Sequence, residues 1–172
     1  TFFLTVFFDF IIAIEVGMIL SSFMFMKRMS EATSITGTAN IFKTNDERGI
    51  PLFEEELSEI PKGVVLYEIN GPLFFGASQK FQEIISDLHE QPKILILRMR
   101  NVPFIDATGI NRLKEICHQI TSRGTSILIS GANHNVKLEL LKADLYTLLG
   151  KHNIHDNINS ALEGAKELLK KE

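Results

Sequence analysis

The chain has 172 residues, 45% of them hydrophobic and 23% charged, with a net charge of −3 and a mean hydropathy of +0.10. That charge leaves no basic face of the kind a nucleic-acid footprint needs. The single cysteine, Cys117, rules out an internal disulfide and fits a reducing compartment. The hydropathy is high for a soluble domain and low for a polytopic membrane protein, and the excess sits at one end.

Thr1 to Met26 is an almost unbroken apolar run, interrupted by Thr1, Thr5, Asp9, Glu15, Ser21 and Ser22 and closed by Lys27-Arg28. A helix rising ~1.5 Å per residue over that length crosses a hydrocarbon core of ~30 Å. A secretory signal carries its positive charge first and keeps a shorter apolar core, so the charge order argues for a spanning helix. Lys and Arg gather on the cytoplasmic side, which orients its C-terminal end inward. With no initiator Met, residues 1–28 read as the last span of a larger membrane protein. Asp9 and Glu15 are intramembrane carboxylates, costly unless they face protein or water. At about 120° apart on the helix, at least one is expected to pack against a neighbouring span. Asp9→Leu and Glu15→Leu should each lower folded yield or transport, read by expression and uptake.

Residues 29–61 read as a linker. Ser30, Thr33, Ser34, Thr36, Gly37 and Thr38 are small and polar, Asn45-Asp46-Glu47-Arg48-Gly49 is turn-like, and Glu54-Glu55-Glu56 is a solvated charge run before Pro61. Residues 62–172 then alternate strand and helix. Val64–Ile69 is a strand, and Asn70-Gly71-Pro72 turns it toward a short Leu73-Phe74-Phe75 strand. Ser78–His89 is helical, with Phe81, Ile84, Ile85 and Leu88 on one face. Ile94–Leu97 reads as a buried parallel strand. Ala107–Ser122 is a helix turning Ile110, Leu113, Ile116, Cys117 and Ile120 inward, stopped by Gly124. Ser126–Ser130 is a strand, a third helix carries Val136, Leu140 and Leu141, and Ile154 contributes a last short strand. Asp156 is expected to cap a final helix bearing Ile158, Ala161, Leu162, Ala165, Leu168 and Leu169. The fold class is α/β, a small mixed sheet flanked by about four helices behind a membrane helix.

The search for chemistry is mostly negative. No Gly-rich phosphate loop, Walker sequence or nucleophile elbow is present. His152 and His155 flank Ile154 without the Cys or carboxylate spacing of a metal site, and Cys117 lies on an apolar helix face. No catalytic residue, cofactor or metal is implied. One local signal stands out, Asn101-Val102-Pro103-Phe104-Ile105-Asp106-Ala107-Thr108-Gly109-Ile110, in which a strand ends and Asp106-x-Thr108-Gly109 opens a helix. Asp106 is suited to accept first-turn amides as the cap. Thr108 lies in that turn, where backbone amides favour a phosphate.

This segment, together with Gly71-Pro72-Leu73-Phe74-Phe75-Gly76-Ala77, resembles a STAS domain, the module shared by sulfate transporters and anti-sigma-factor antagonists. Asp9 to Gly17 followed by Lys27-Arg28-Met29-Ser30 is similar to the final membrane helix of SulP-type (sulfate permease) anion transporters, and Gly-Pro-Leu-Phe-Phe is characteristic of that branch. The resemblance implies the C-terminal part of a secondary anion transporter of the sulfate, bicarbonate or dicarboxylate class, located in the membrane. Its STAS domain would be a cytoplasmic regulatory and folding module and not an enzyme. No substrate-binding residue is expected in this stretch, because the family's anion site lies in earlier spans. The implied partners are the membrane and the transporter's own membrane domain, with a second copy or a cytoplasmic regulatory protein as further candidates. In the antagonists the residue a partner kinase phosphorylates occupies the position of Thr108, after an Asp matching Asp106. The alternative reading is therefore a membrane-tethered STAS switch controlled by phosphorylation, and Ala107 departs from the Ser that antagonists often carry there.

Overall fold

The computed structural model describes residues 10–31, 34–37, 60–74 and 92–171. Asp9, the turn-like and glutamate segments between 45 and 56, Phe75 and the expected helix Ser78–His89 lie outside the described residues. The described elements run α1 (Phe10–Glu31), β1 (Ser34–Gly37), β2 (Val64–Asn70), β3 (Ile94–Asn101), α2 (Ala107–Ser122) and β4 (Ser126–Ser130). After these come α3 (His134–Lys142), α4 (Leu145–Leu149), a 3-10 turn (Lys151–Asn153), β5 (Ile154–His155) and α5 (Ile158–Lys171).

The stretch Phe10–Arg28 of α1 is long and apolar enough to cross a membrane. Phe10, Ile11, Met18, Ile19, Leu20, Phe23, Met24, Phe25 and Met26 all expose their side chains, an arrangement that water penalises and lipid does not. Glu15 is exposed on this helix.

The five strands form one sheet in the order β1-β2-β3-β4-β5. Strands β2 to β5 are parallel, and β1 runs antiparallel along the outer edge of β2. Ser34, Thr36 and Gly37, expected in the linker, are therefore sheet residues. An edge strand is held by backbone pairing on one side, so it needs little apolar sequence. Here Ile35 packs against the core.

The parallel strands carry apolar residues on both sides because helices cover both sides. Tyr67, Ile69, Leu95, Leu97, Met99, Ile127 and Ile129 meet α2, α3 and α4 in the larger core. Val64, Leu66, Ile94, Ile96 and Leu128 meet Ile158, Ala161, Leu162 and Ala165 of α5 in the smaller one. This explains why Ile94–Leu97 has no polar alternation.

Three local expectations change. Leu73 makes one isolated parallel bridge with Ile105 and Phe74 joins no strand, while Phe75, the end of the expected Leu73–Phe75 strand, lies outside the described residues. Asp156 is not the cap of α5. The helix starts at Ile158, and Asn157 Oδ1 accepts from the Ser160 amide at 2.9 Å. Asp156 instead pairs with Lys137 of α3, which holds its carboxyl below the usual range. Leu141 is 54% exposed on α3 while Val136 and Leu140 are buried. Helix α2 has the expected limits, and Gly124 at φ 89° follows its C-cap, Arg123.

Cys117 is fully buried on α2, and burial pushes its thiol up to about 12. At pH 8 that leaves about one part in 10,000 as the reactive thiolate. A thiol-reactive chromophore should therefore label Cys117 only as fast as the domain opens, and labelling should become rapid in denaturant. Rapid labelling of the folded chain would contradict this burial.

Candidate functional site: two loops locked at the start of helix α2

Asp106 stands at the N-cap of α2 in extended conformation (φ −89°, ψ 173°). Its Oδ1 accepts the Gly109 amide at 2.6 Å, and its carbonyl accepts the Ile110 amide at 2.9 Å. The first of these satisfies an amide of the first turn that has no partner inside the helix, and the second opens the helix's own ladder.

The Gly71–Phe74 loop is fastened to this turn. The Leu73 amide donates to the Phe104 carbonyl at 3.1 Å, and the Leu73 carbonyl accepts from the Asp106 amide at 3.2 Å, so the two bonds straddle Ile105. The Gly71 amide donates to the Asn101 carbonyl at 3.1 Å. Leu73 is 1% exposed, whereas Phe104 is 43% exposed and meets Phe74 edge-on, with ring centroids 4.9 Å apart.

Gly109 explains the closeness of the two loops. A Cβ placed there would collide with the Leu73 carbonyl oxygen and come within 3.0 Å of its carbon and 3.1 Å of Asp106 Oδ1. The residue has to be glycine because the backbone of one loop lies where a side chain would begin.

Asn133 holds the remaining side. Its Nδ2 donates to the carbonyls of Val102 (2.7 Å) and Pro103 (3.1 Å), and its Oδ1 accepts the Val136 amide at 3.0 Å, capping α3. Asn133 is only half visible in the sequence. Its signal is a cap-type residue just before the Val136 helix, but nothing local points to its bonds with Val102 and Pro103.

The structure thus joins Asp106 and Gly109 with Leu73 into one rigid corner. Thr108 is exposed at that corner, one residue into the helix. Glu15 belongs to α1 and is no part of it, and Asp9 lies outside the described residues. His152 and His155 do not converge on a shared ligand position: His152 is exposed and His155 is turned against α5. The corner offers a capped helix start, one free-standing hydroxyl and an aromatic ledge. It brings together no nucleophile and base.

Residues 57–161 match the family model of the STAS domain. The STAS domain of a SulP transporter from Vibrio cholerae is 35% identical with a TM-score of 0.61, the match covering 69% of this chain and 97% of that one. The chain belongs to the STAS family, in its SulP transporter branch. A sulfate transporter family protein from Wolinella succinogenes is 40% identical with a TM-score of 0.61, over 64% of this chain and 91% of that chain. YvdB of Bacillus subtilis, assigned by its name to the sulfate transporters, is 33% identical over 158 residues, 91% of this chain. The chain spans 28% of YvdB's length. Both motifs of this STAS domain, Gly71–Phe74 and Asp106–Gly109, meet at the corner described above.

Proposed function

We propose that this chain forms the cytoplasmic end of a secondary anion transporter of the sulfate, bicarbonate or dicarboxylate class. In this reading α1 is the final span, with Lys27 and Arg28 on the cytoplasmic side. The STAS domain is a regulatory and folding module that shows its α2 corner to the transporter's membrane domain. The observation that supports it is the corner itself: three backbone bonds join the two loops and the Asp106 side chain caps the helix beside them, yet Thr108 and Phe104 stay exposed on it. A rigid frame with exposed residues suits recognition, since little ordering entropy is lost on docking.

The exposed hydroxyl of Thr108 also supports the switch reading, in which phosphorylation changes what this corner binds. Asp106 already holds the Gly109 amide and would repel an added phosphate, so the gain from the helix dipole is partly offset. The consequence of a charge at Thr108 should fall on docking more than on folding.

Two variants in the full transporter test this. Thr108→Glu should change uptake several-fold while shifting the melting temperature little. Asp106→Ala should cost about 1 kcal/mol of stability by loss of the cap. Unchanged uptake in Thr108→Glu would leave the corner as structure only. Phosphate found on Thr108 by mass spectrometry, with uptake unaffected, would favour the switch acting on another protein.

A further inference from the structure

Strand pairing draws one polar row across the sheet. Thr36 pairs with Glu68, Glu68 with Arg98, Arg98 with Ser130 and Ser130 with His155. Glu68 and Arg98 form an ion pair, Oε1 to Nε at 3.8 Å. The other end of the row is different. Ser130 Oγ and His155 Nε2 are both shut off from solvent, and neither has a hydrogen-bond partner among protein atoms.

His155 lies on the α5 side of the sheet. A Cβ on Gly164 of α5 would stand 2.9 Å from both Cε1 and Nε2 of the ring and 3.5 Å from Leu128 Cδ2. The helix backbone therefore rests on the imidazole edge, a seating that any side chain at position 164 would push apart. An unpaired neutral nitrogen there costs a modest amount, but an unpaired N–H carrying positive charge costs far more.

We propose that His155 is a proton-sensitive latch for α5: the neutral ring lets Gly164 seat on the sheet, and protonation at Nε2 lifts this part of the helix. The inference rests on the fold alone and stands or falls apart from the transporter reading. Around the ring, β4 contributes Ser130, which carries no charge. Arg98 and Glu68, one and two strands beyond, are paired with each other. Glu163, Lys166 and Glu167 of α5 and Lys151 and His152 of the 3-10 turn are exposed. Asp156 beside it raises its proton affinity but is itself engaged by Lys137 of α3. Burial is the larger influence and lowers His155 below its ordinary value. A released histidine, with an ordinary pKa of about 6.5, then binds more protons than the docked one. The docking contribution is whole above that pH and is lost as pH falls below it.

Hydrogen exchange on the whole chain in detergent, corrected for intrinsic rates, tests the latch. Between pH 7.5 and 5.5 the protection of residues 158–171 should fall roughly three- to tenfold, since one proton allows at most about tenfold per pH unit. Protection of α2 should hold. In His155→Leu the α5 response should be flat, and Gly164→Ala should lower α5 protection already at pH 7.5. If His155→Leu does not fold, imidazole NMR of the wild type decides, with the resonance expected to titrate below the ordinary histidine value. Equal α5 protection at both pH values, the same pH response in His155→Leu, or a titration midpoint at or above the ordinary value would each overturn the proposal.

Discussion

Gly109→Ala should destabilise the domain by about 3 kcal/mol, near the upper end of what overpacking costs. The sign is the opposite of the usual one, because alanine in a helix is ordinarily favoured over glycine by about 1 kcal/mol. Here the new methyl would meet the Leu73 carbonyl, which cannot move without breaking its bond to the Asp106 amide. For a domain of this size that corresponds to a fall in melting temperature on the order of 10–20 °C. Thr108→Ala, at the exposed neighbouring position, is the control and should be near neutral. Thermal unfolding of the two variants in detergent settles the point: a Gly109→Ala melt close to the wild type would mean that the two loops are not locked by backbone contact.

The second large effect is expected at Arg98. Its side chain and that of Glu68 are 8% and 10% exposed. Glu68 also accepts from Asn101 Nδ2 at 3.4 Å, and Asn101 in turn reaches Asn70 Oδ1 at 2.6 Å. Arg98→Met leaves the Glu68 carboxylate buried without its cation, which should cost about 3 kcal/mol. Converting both residues, Arg98→Met with Glu68→Leu, should recover most of that loss, because a buried pair replaced as a unit is often neutral. The coupling read from denaturant unfolding of the two single variants and the double one isolates the pair. If Arg98→Met alone unfolds like the wild type, the carboxylate has another source of stabilisation.

What the sequence made visible depended on how far apart the cooperating residues lie. Helix α2 was legible to the residue, since its cap, its apolar face and its stop occupy one continuous stretch from Asp106 to Gly124. Strand β3 was legible as buried because Ile94–Leu97 shows no polar alternation. Strand β1 was not, since Ser34–Gly37 is defined by backbone pairing with β2, some thirty residues on. The cap of α5 was misplaced by one residue, because Asp156 and Asn157 are equally good caps and only the position of Ile158 chooses between them. Helix α4, five residues long, is too short to show a period. At the candidate site Asp106 and Gly109 were marked by their own neighbours. The reason Gly109 is glycine lies in Leu73, and the loop's third support lies in Asn133, so neither could be read locally.

Helix α1 ends at Glu31 and β1 begins at Ser34. Three backbone steps span about 11 Å at most when fully extended, so the start of β1 can stand no farther than that from the end of α1. A displacement of the end of α1 beyond that reach would have to carry Ser34 with it, and Ser34 is paired with Asn70 in the β1–β2 ladder. The short connection therefore sets the largest excursion the sheet can make from the apolar helix without giving up its antiparallel rim.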